Sequence, residues 1–211
     1  MIYIIQCGSE LSNPKPKQLN IVNDEAVLAR TIRLLRENGI TDLYLSTNHP
    51  AFEQFGLPIL HHENNFYNDR SGMWVDGFYP TEEPACYIFG DVVFSPEAIK
   101  TIIETDTNDI EFFASAPPYD PRYFKPYAEP FAFKVQNQVH FRQAINQVKD
   151  LKKWFSREPI AWELWQVIKE TPLNCINFKN YTVINDYTCD VDVPEDADKF
   201  NKLFDKMREE I

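Results

Sequence analysis

Short apolar runs alternate with amphipathic stretches along this chain, which is typical of an α/β protein. Residues 2–5 are an apolar run and predict a strand. Residues 25–38 carry apolar side chains at helical spacing and are followed by Gly39, which predicts a helix with a glycine just beyond its end. Residues 42–47 predict the next strand. Strand, helix and strand in this order favour a right-handed parallel crossover.

The alternation continues to the C-terminus. Further strands are predicted at 59–62, 87–94, 111–116 and 182–184, a hairpin at 131–135 and 139–141 with Asn137 in its turn, and helices at 69–79, 96–105, 144–155, 160–169 and 194–208. Residues 117–130 are rich in Pro, Tyr and Phe and interrupt the pattern, so we expect them to leave the sheet and pack over one side of the site.

Composition limits the architecture and the partners. A length of 211 residues suits a single domain over residues 1–211. Hydrophobic residues make up 44% of the chain, enough for a substantial core. A formal net charge of -11 argues against nucleic acid as a partner, because phosphate backbones require clustered Lys and Arg.

Cysteine spacing and the apolar segments indicate the compartment. Cys7, Cys86, Cys175 and Cys189 form no C-x-x-C pair, so the sequence predicts buried free thiols rather than a zinc site or a disulfide framework. The N-terminal residues lack a signal-peptide pattern, and no apolar run approaches the roughly 20 residues that span a bilayer. We therefore expect a cytoplasmic protein without a membrane partner.

The first strand leads into a candidate phosphate site. It ends at Gln6-Cys7-Gly8, and Lys15 and Lys17 follow in a proline-containing loop before the helix. Backbone N–H groups and a helix N-terminus both favour an anion at such a position. The alternative is a solvated connection without a ligand.

Acidic residues at two other places predict a metal site. Asp91 follows Gly90 and breaks an apolar run at the end of a strand, where a carboxylate is costly unless it faces a cleft or a cation. Asp190 and Asp192 alternate before the last predicted helix and would share one face of an extended segment. Such oxygen ligands near a lysine loop suit Mg²⁺ that also holds substrate phosphates. The alternatives are a loop-capping role for Asp91 and a helix N-terminal acid cluster for the late acids, to which Glu195 and Asp196 belong.

These motifs together resemble the nucleotidyltransferases of the sugar-phosphate and phosphocholine cytidylyltransferase type. The resemblance runs from residue 2 to about residue 204 and rests on Gly8, the segment Pro16-Lys17-Gln18-Leu19, the helix end at 37–42, Gly90-Asp91 and the acids at 190–196. It implies a three-layer, Rossmann-like α/β fold, similar to that of GT-A glycosyltransferases, with a central mixed, mostly parallel sheet.

The resemblance also implies an activity. Such enzymes transfer a nucleoside monophosphate from an NTP to a phosphorylated small molecule and release pyrophosphate with Mg²⁺ as cofactor. By position, Lys17 and Asp91 would be catalytic, and Asp91 with Asp190, or with Asp192 as a close alternative, would bind the metal. The nucleotide-binding residues would be Gln6, Cys7, Gly8, Ser9, Lys15, Lys17, Arg70, Ser71, Gly72 and Gly90. The family connects the activity with precursors of cell-surface polysaccharide or lipid.

The loop after Gly8 departs from the family pattern. The family has G-x-G-x-R before the Pro-Lys pair, whereas residues 8–14 contain neither the second Gly nor the Arg. Lys15 could supply a charge in place of that Arg. A noncatalytic nucleotide-binding relative therefore stays open, as does a GT-A glycosyltransferase, although the D-x-D sequence at 190–192 lies at the wrong end of the chain for the latter.

Two further segments concern the base, the acceptor and the oligomer. Residues 64–74 resemble the segment that precedes a helix in bacterial phosphocholine cytidylyltransferases, which favours cytidylyl transfer. The alternative is that Phe66, Tyr67, Met73 and Trp74 belong to the core and the polar residues to a loop. Several aromatic residues would line an acceptor pocket or a cage for a quaternary amine or, alternatively, form core or a homodimer face. They are Tyr119, Tyr123, Phe124, Tyr127, Trp154, Trp162 and Trp165.

Overall fold

A computed structural model describes residues 1–8, 14–61, 74–117, 128–155 and 160–210. The strands are β1 (Ile2–Gln6), β2 (Ile21–Val22), β3 (Glu25–Ala26), β4 (Leu43–Ser46), β5 (Ile59–Leu60), β6 (Ala85–Phe89), β7 (Val92–Val93), β8 (Ile110–Ser115), β9 (Pro130–Val135), β10 (Thr182–Ile184) and β11 (Cys189–Asp190). The helices are α1 (Val27–Glu37), α2 (Pro96–Glu104), α3 (Gln138–Phe155), α4 (Ala161–Ile168) and α5 (Pro194–Glu209). Short 3₁₀ helices lie at Lys17–Leu19, Pro50–Phe55 and Trp74–Gly77.

The central sheet has seven strands in the order β10-β8-β9-β6-β1-β4-β5. Strand β9 runs antiparallel to both β6 and β8, and the other neighbouring pairs are parallel. This arrangement confirms the predicted mixed, mostly parallel sheet. Two short ribbons, β11-β7 and β2-β3, lie beside it.

Helices cover both faces of the sheet and complete three layers. One buried cluster joins β1 and β4 to α1 and α2 through side chains such as Ile5, Leu28 and Ile99. A second cluster on the opposite face joins the sheet to α3 and α4 through aromatic side chains such as Phe133 and Trp162. Alternate residues of β1 enter the two clusters because successive strand side chains point to opposite faces.

Most predicted elements are confirmed, but the first helix begins two residues later than the periodicity indicates. Residues Glu25–Ala26 pair with Ile21–Val22 instead of starting the helix. Asn23 and Asp24, at φ 52° and 63°, form the two-residue turn of this hairpin. Hairpins of this length favour two central residues with positive φ, and Asn and Asp tolerate that conformation.

The apolar run at 87–94 forms two strands, so the single strand predicted over this range is wrong, whereas the predicted position of Asp91 at the end of a strand is confirmed. Strand β6 ends at Phe89, and the chain turns at Gly90-Asp91 before β7 pairs with β11 in a separate ribbon. The break places Asp91 in a turn at the end of β6.

The predicted hairpin around Asn137 is also wrong. Strand β9 pairs with β6 and β8, and α3 begins directly after Asn137. The Asn137 side chain accepts a hydrogen bond from the backbone N–H of His140 at 3.0 Å, so it caps the helix. Phe141, Ala144 and Val148 continue the buried stripe at helical spacing.

Two other predicted segments fall partly outside the described residues. Of the helix predicted at 69–79, residues 69–73 lie outside, and Trp74–Gly77 form a 3₁₀ helix in place of an α-helix. Of the segment at 117–130, residues 118–127 lie outside.

The cysteines are free, as predicted. Cys7, Cys86 and Cys189 are also buried as predicted, but the prediction of burial is wrong for Cys175, which is exposed. Within the described ranges, no helix is long and apolar enough to cross a membrane.

The end of α4 yields a stability prediction. Glu170 has φ 51° and follows the helix, with its N–H donating to Val167 O at 3.1 Å and the N–H of Thr171 donating to Gln166 O at 2.8 Å. This is the Schellman arrangement, in which glycine is favoured at the left-handed position. We expect Glu170→Gly to raise the free energy of unfolding by about 0.5–1 kcal/mol, measured by chemical denaturation. Glu170→Ala is the matched control, because it removes the same charge but keeps a Cβ. An equal gain in both variants would contradict the backbone explanation.

Candidate functional site

The candidate site lies where parallel strands of the sheet end. Gln6 of β1 is in register with Ser46 of β4 and with Phe89 of β6, so these three strands end at one edge. Gly8 follows β1, and the Gly90-Asp91 turn follows β6. Ligands of open α/β sheets bind outside the carboxyl ends of strands, which makes this edge the natural position for a site.

Gly90 allows β1 and the turn after β6 to approach closely. Its N–H donates to Gln6 O at 2.9 Å. A Cβ at position 90 would lie 2.6 Å from Gln6 O and 2.9 Å from Cys7 Sγ, distances at which a side chain does not fit. The glycine therefore sets the position of the adjacent Asp91.

A lysine and two carboxylates meet at this edge. Lys17 Nζ lies 2.5 Å from Asp91 Oδ2 and 2.9 Å from Asp192 Oδ1. The Lys17 side chain is 37% exposed, so the group faces solvent without being fully hydrated. Residues separated by 175 positions in the sequence thus share one ion-pair cluster.

The main chain around Asp192 is fixed by two sets of hydrogen bonds. β11 pairs with β7, and the N–H of Val191 donates to Asp91 O at 2.8 Å, so the two acidic segments run side by side. Asp196 Oδ2 then accepts from the N–H groups of Asp192 and Val193 at 3.2 and 3.3 Å. Asp196 is therefore a capping residue of α5, as expected for a helix N-terminal acid.

Lys17 is fixed at its backbone. It begins a 3₁₀ helix in which the N–H of Leu19 donates to Pro16 O at 2.9 Å. The adjacent Gln18 is buried and donates from Nε2 to Gly8 O at 3.1 Å, which ties the two ends of the segment between Gly8 and Lys17 together.

The surroundings keep Lys17 charged. Burial by itself lowers the pKa of the Lys17 ammonium, but the charges and hydrogen bonds of Asp91 and Asp192 outweigh it, so the net pKa is raised above its ordinary value. Burial, followed by the nearby charge of Asp91, raises the pKa of the Cys7 thiol, so Cys7 stays neutral and is no nucleophile.

The carboxylates of Asp91 and Asp192 supply part of the ligand set that a hard divalent cation needs. Among the described residues, no group of three or more His, Cys, Asp and Glu side chains is arranged to hold a metal. Asp91 and Asp192 nevertheless direct oxygens at one point, and Mg²⁺ is commonly held by one or two carboxylates together with substrate phosphates and water. Asp190 is 9% exposed, and its Oδ1 lies 3.6 Å from the Cys189 thiol, so it is the more enclosed of the two late acids.

The predicted nucleotide-binding residues are distributed over this edge. Gln6, Gly8 and Gly90 lie at the strand ends, and Lys15 is exposed two residues before Lys17. The Cys7 side chain is fully buried, so any contact with a ligand would be made by its main chain. Four predicted residues lie outside the described part of the chain, namely Ser9, Arg70, Ser71 and Gly72.

Two contacts of the site were not predicted from the sequence. The first is Gln18 as a tie to Gly8, for which its position next to Lys17 in the Pro-Lys-Gln-Leu motif was the available signal. The second is the contact of Lys17 with Asp192, which no local pattern indicates.

Of the aromatic residues considered for an acceptor pocket, Trp162 and Trp165 are buried in the core, with Nε1 donating to Ala128 O and Lys179 O. This confirms the core interpretation for both.

Comparison with known proteins identifies the fold. No protein-family model and no curated protein matches the sequence. Among solved structures, the chain is similar to a protein assigned as a glucose-1-phosphate thymidylyltransferase from Bacillus anthracis, with TM-score 0.61, 14% identity and coverage of 96% of this chain and 94% of that one.

Two other similar structures belong to enzymes that use CTP. One is the inositol-1-phosphate CTP transferase from T. maritima, with TM-score 0.57, 16% identity and coverage of 98% and 96%. The other is the CTP:phosphocholine cytidylyltransferase from Streptococcus pneumoniae, with TM-score 0.52, 13% identity and coverage of 96% and 98%. The chain therefore has the Rossmann-like fold of the nucleotidyltransferases over nearly its whole length, as the sequence resemblance implied.

Proposed function

We propose that this protein, whose fold is that of the nucleotidyltransferases, transfers a nucleoside monophosphate from an NTP to a phosphorylated small molecule and releases pyrophosphate. The observation that carries the proposal is the convergence of Lys17, Asp91 and Asp192 at the carboxyl edge of the sheet, beside Gly8 and Gly90. The fold alone does not imply an activity, so the argument depends on this group.

The charges of the site suit two anionic substrates. Phosphoryl and nucleotidyl transfers require little covalent chemistry from the protein, which mainly aligns the reactants and offsets their repulsion. The ammonium of Lys17 is a mobile charge at the end of a flexible stem and suits contact with phosphate oxygens. Lys15, exposed two residues earlier, adds a second positive charge at the same approach.

Asp91, together with Asp192 or Asp190, would hold Mg²⁺. When bound, such an ion neutralises phosphate charge and orients the triphosphate. Asp192 is favoured because its carboxylate and that of Asp91 reach the same ammonium.

In the proposed reaction, a phosphate oxygen of the acceptor attacks the α-phosphorus of the NTP in line. The bond from the α-phosphorus to the bridging oxygen breaks, and pyrophosphate leaves with that oxygen. Lys17 would stabilise the negative charge that develops on the phosphate oxygens during transfer.

We further propose cytidylyl transfer, which is supported by the resemblance of residues 64–74 and by the two structural neighbours that use CTP.

Pyrophosphate release tests the proposal. The protein is incubated with Mg²⁺, each of the four NTPs in turn, and a panel of sugar phosphates, choline phosphate and glycerol phosphates. We expect release with one combination of NTP and acceptor, with CTP as the nucleotide. Measurable NTP binding without release for any combination would contradict the transferase and favour a noncatalytic nucleotide-binding protein.

A further inference from the structure

The Lys17 ammonium occupies the point on which two carboxylates converge. Asp91 Oδ2 and Asp192 Oδ1 lie 2.5 and 2.9 Å from the same nitrogen, and they belong to separate parts of the chain. Without a cation between them, two carboxylates at this separation would repel each other. The structure therefore already contains a counter-ion between the two carboxylates that are proposed to hold a divalent cation.

The backbone of Lys17 is fixed, whereas its side chain can move. The 3₁₀ helix and the bond from Gln18 Nε2 to Gly8 O hold the main chain on either side. The side chain is 37% exposed, and that of Asp192 is 42% exposed, so solvent reaches the ion pair from outside. A lysine stem has four rotatable methylene groups, which allow its ammonium to leave the carboxylates while the backbone stays in place.

We propose that Lys17 acts as a built-in counter-ion which a divalent cation displaces from Asp91 and Asp192, and which then becomes available to the phosphates of the nucleotide. The inference rests on the proposed function, and it concerns how metal and nucleotide binding are coupled. A metal ion bound to Asp91 Oδ2 and Asp192 Oδ1 would exclude the ammonium, because Lys17 Nζ already contacts both of these oxygens.

Because of this exclusion, the metal ion and the nucleotide bind cooperatively. Metal binding releases the ammonium, and contact of the ammonium with phosphate frees the carboxylates for metal. Whichever ligand binds first separates Lys17 from the carboxylates, so the second ligand binds without having to break the ion pair. By linkage, metal and nucleotide increase each other's affinity by the same factor. The nucleotide therefore favours metal binding through Lys17 as well as through its own phosphates.

Metal affinity without nucleotide tests the exchange. We expect Lys17→Met to bind Mn²⁺ about tenfold more tightly than the unchanged protein, since no resident cation has to be displaced. Lys15→Met is the matched control, because it removes an equal charge from an exposed position two residues away. We expect its Mn²⁺ affinity to change by less than about twofold. Calorimetric titration gives the dissociation constants.

The outcomes separate this inference from the proposed function. If the unchanged protein binds Mn²⁺ and Lys17→Met binds it equally or less tightly, the counter-ion role is refuted, while pyrophosphate release by the unchanged protein decides the function independently. If neither protein binds Mn²⁺, the metal site and the exchange both fail. An equal gain in Lys15→Met would attribute the effect to general charge and would also refute the exchange.

A second measurement uses the unchanged protein and so does not depend on the variant folding. Amine acetylation, read peptide by peptide by mass spectrometry, reports how accessible each ammonium is. We expect Mg²⁺ to raise the labelling of Lys17 by at least about threefold as it leaves the ion pair, with Lys100 on α2 as an internal reference. Labelling of Lys17 that does not respond to Mg²⁺ would overturn the proposal.

Discussion

Asp91→Asn is expected to lower kcat/KM for pyrophosphate release by at least about 10³-fold while the protein stays folded. The substitution keeps the size and shape of the side chain and removes the charge that faces Lys17 and the proposed metal. Asp91 lies in a turn, and its main-chain carbonyl accepts from Val191 N at 2.8 Å, a bond that the variant retains. The loss should therefore appear in activity, with the denaturation midpoint changed little.

A control and two comparisons complete this experiment. Glu195→Gln removes an exposed carboxylate from the first turn of α5 and should keep the activity of the unchanged protein. Asp192→Asn and Asp190→Asn decide which late acid acts with Asp91. We expect the larger loss for Asp192→Asn, because Asp192 contacts Lys17 directly. Full activity in Asp91→Asn would contradict the proposed site altogether.

The parts of the site that local patterns define were predictable from the sequence. The apolar run of β1 ends before Gly8, and the Pro16-Lys17 pair precedes the first helix, so the lysine could be placed at the end of the strand. The central sheet followed from the alternation of strands and helices and from the default parallel crossover.

Other features depend on tertiary contacts that periodicity does not contain. The apolar run at 87–94 predicts one strand, yet it divides at the turn of Gly90 and Asp91, where Gly90 packs against the backbone of Gln6 in another strand. Asn137 is compatible with both a hairpin turn and a helix cap. It caps α3 because the residues that follow it bury one face of a helix against the sheet. The alternation of side chains predicted Asp190 and Asp192 on one face of an extended segment. The strand instead ends at Asp190, and the main chain at Asp192 is held by a hydrogen bond to Asp196, the capping residue of α5.

The resemblance to nucleotidyltransferases supplied what the residues alone could not. It implied that three distant motifs contribute to one site, and the structure brings Lys17, Asp91 and Asp192 into contact. The resemblance implied Asp190 as the partner acid and Asp192 as the alternative. The contact of its carboxylate with Lys17 favours Asp192 over Asp190.

Gly90→Ala is expected to lower the free energy of unfolding by about 2–4 kcal/mol, an effect of the size seen when a well-packed interior is overfilled. The new Cβ would lie 2.6 Å from Gln6 O and 3.2 Å from Ile5 Cγ2. Gln6 O belongs to a central strand that is paired on both sides, so it cannot move away without disturbing β4 and β6. The clash must therefore displace the turn that carries Asp91.

The matched control for this substitution is Gly8→Ala at the same edge of the sheet. A Cβ at position 8 meets no described atom within 4 Å, and Gly8 does not have a positive φ, so we expect its stability to change by less than about 0.5 kcal/mol. Denaturant titration of both variants measures the difference. Because Asp91 moves with the turn, the folded fraction of Gly90→Ala should also release pyrophosphate more slowly than the unchanged protein. A Gly90→Ala variant with unchanged stability and unchanged activity would show that the turn tolerates a side chain, and the close approach of Gly90 to Gln6 would then not be what positions Asp91.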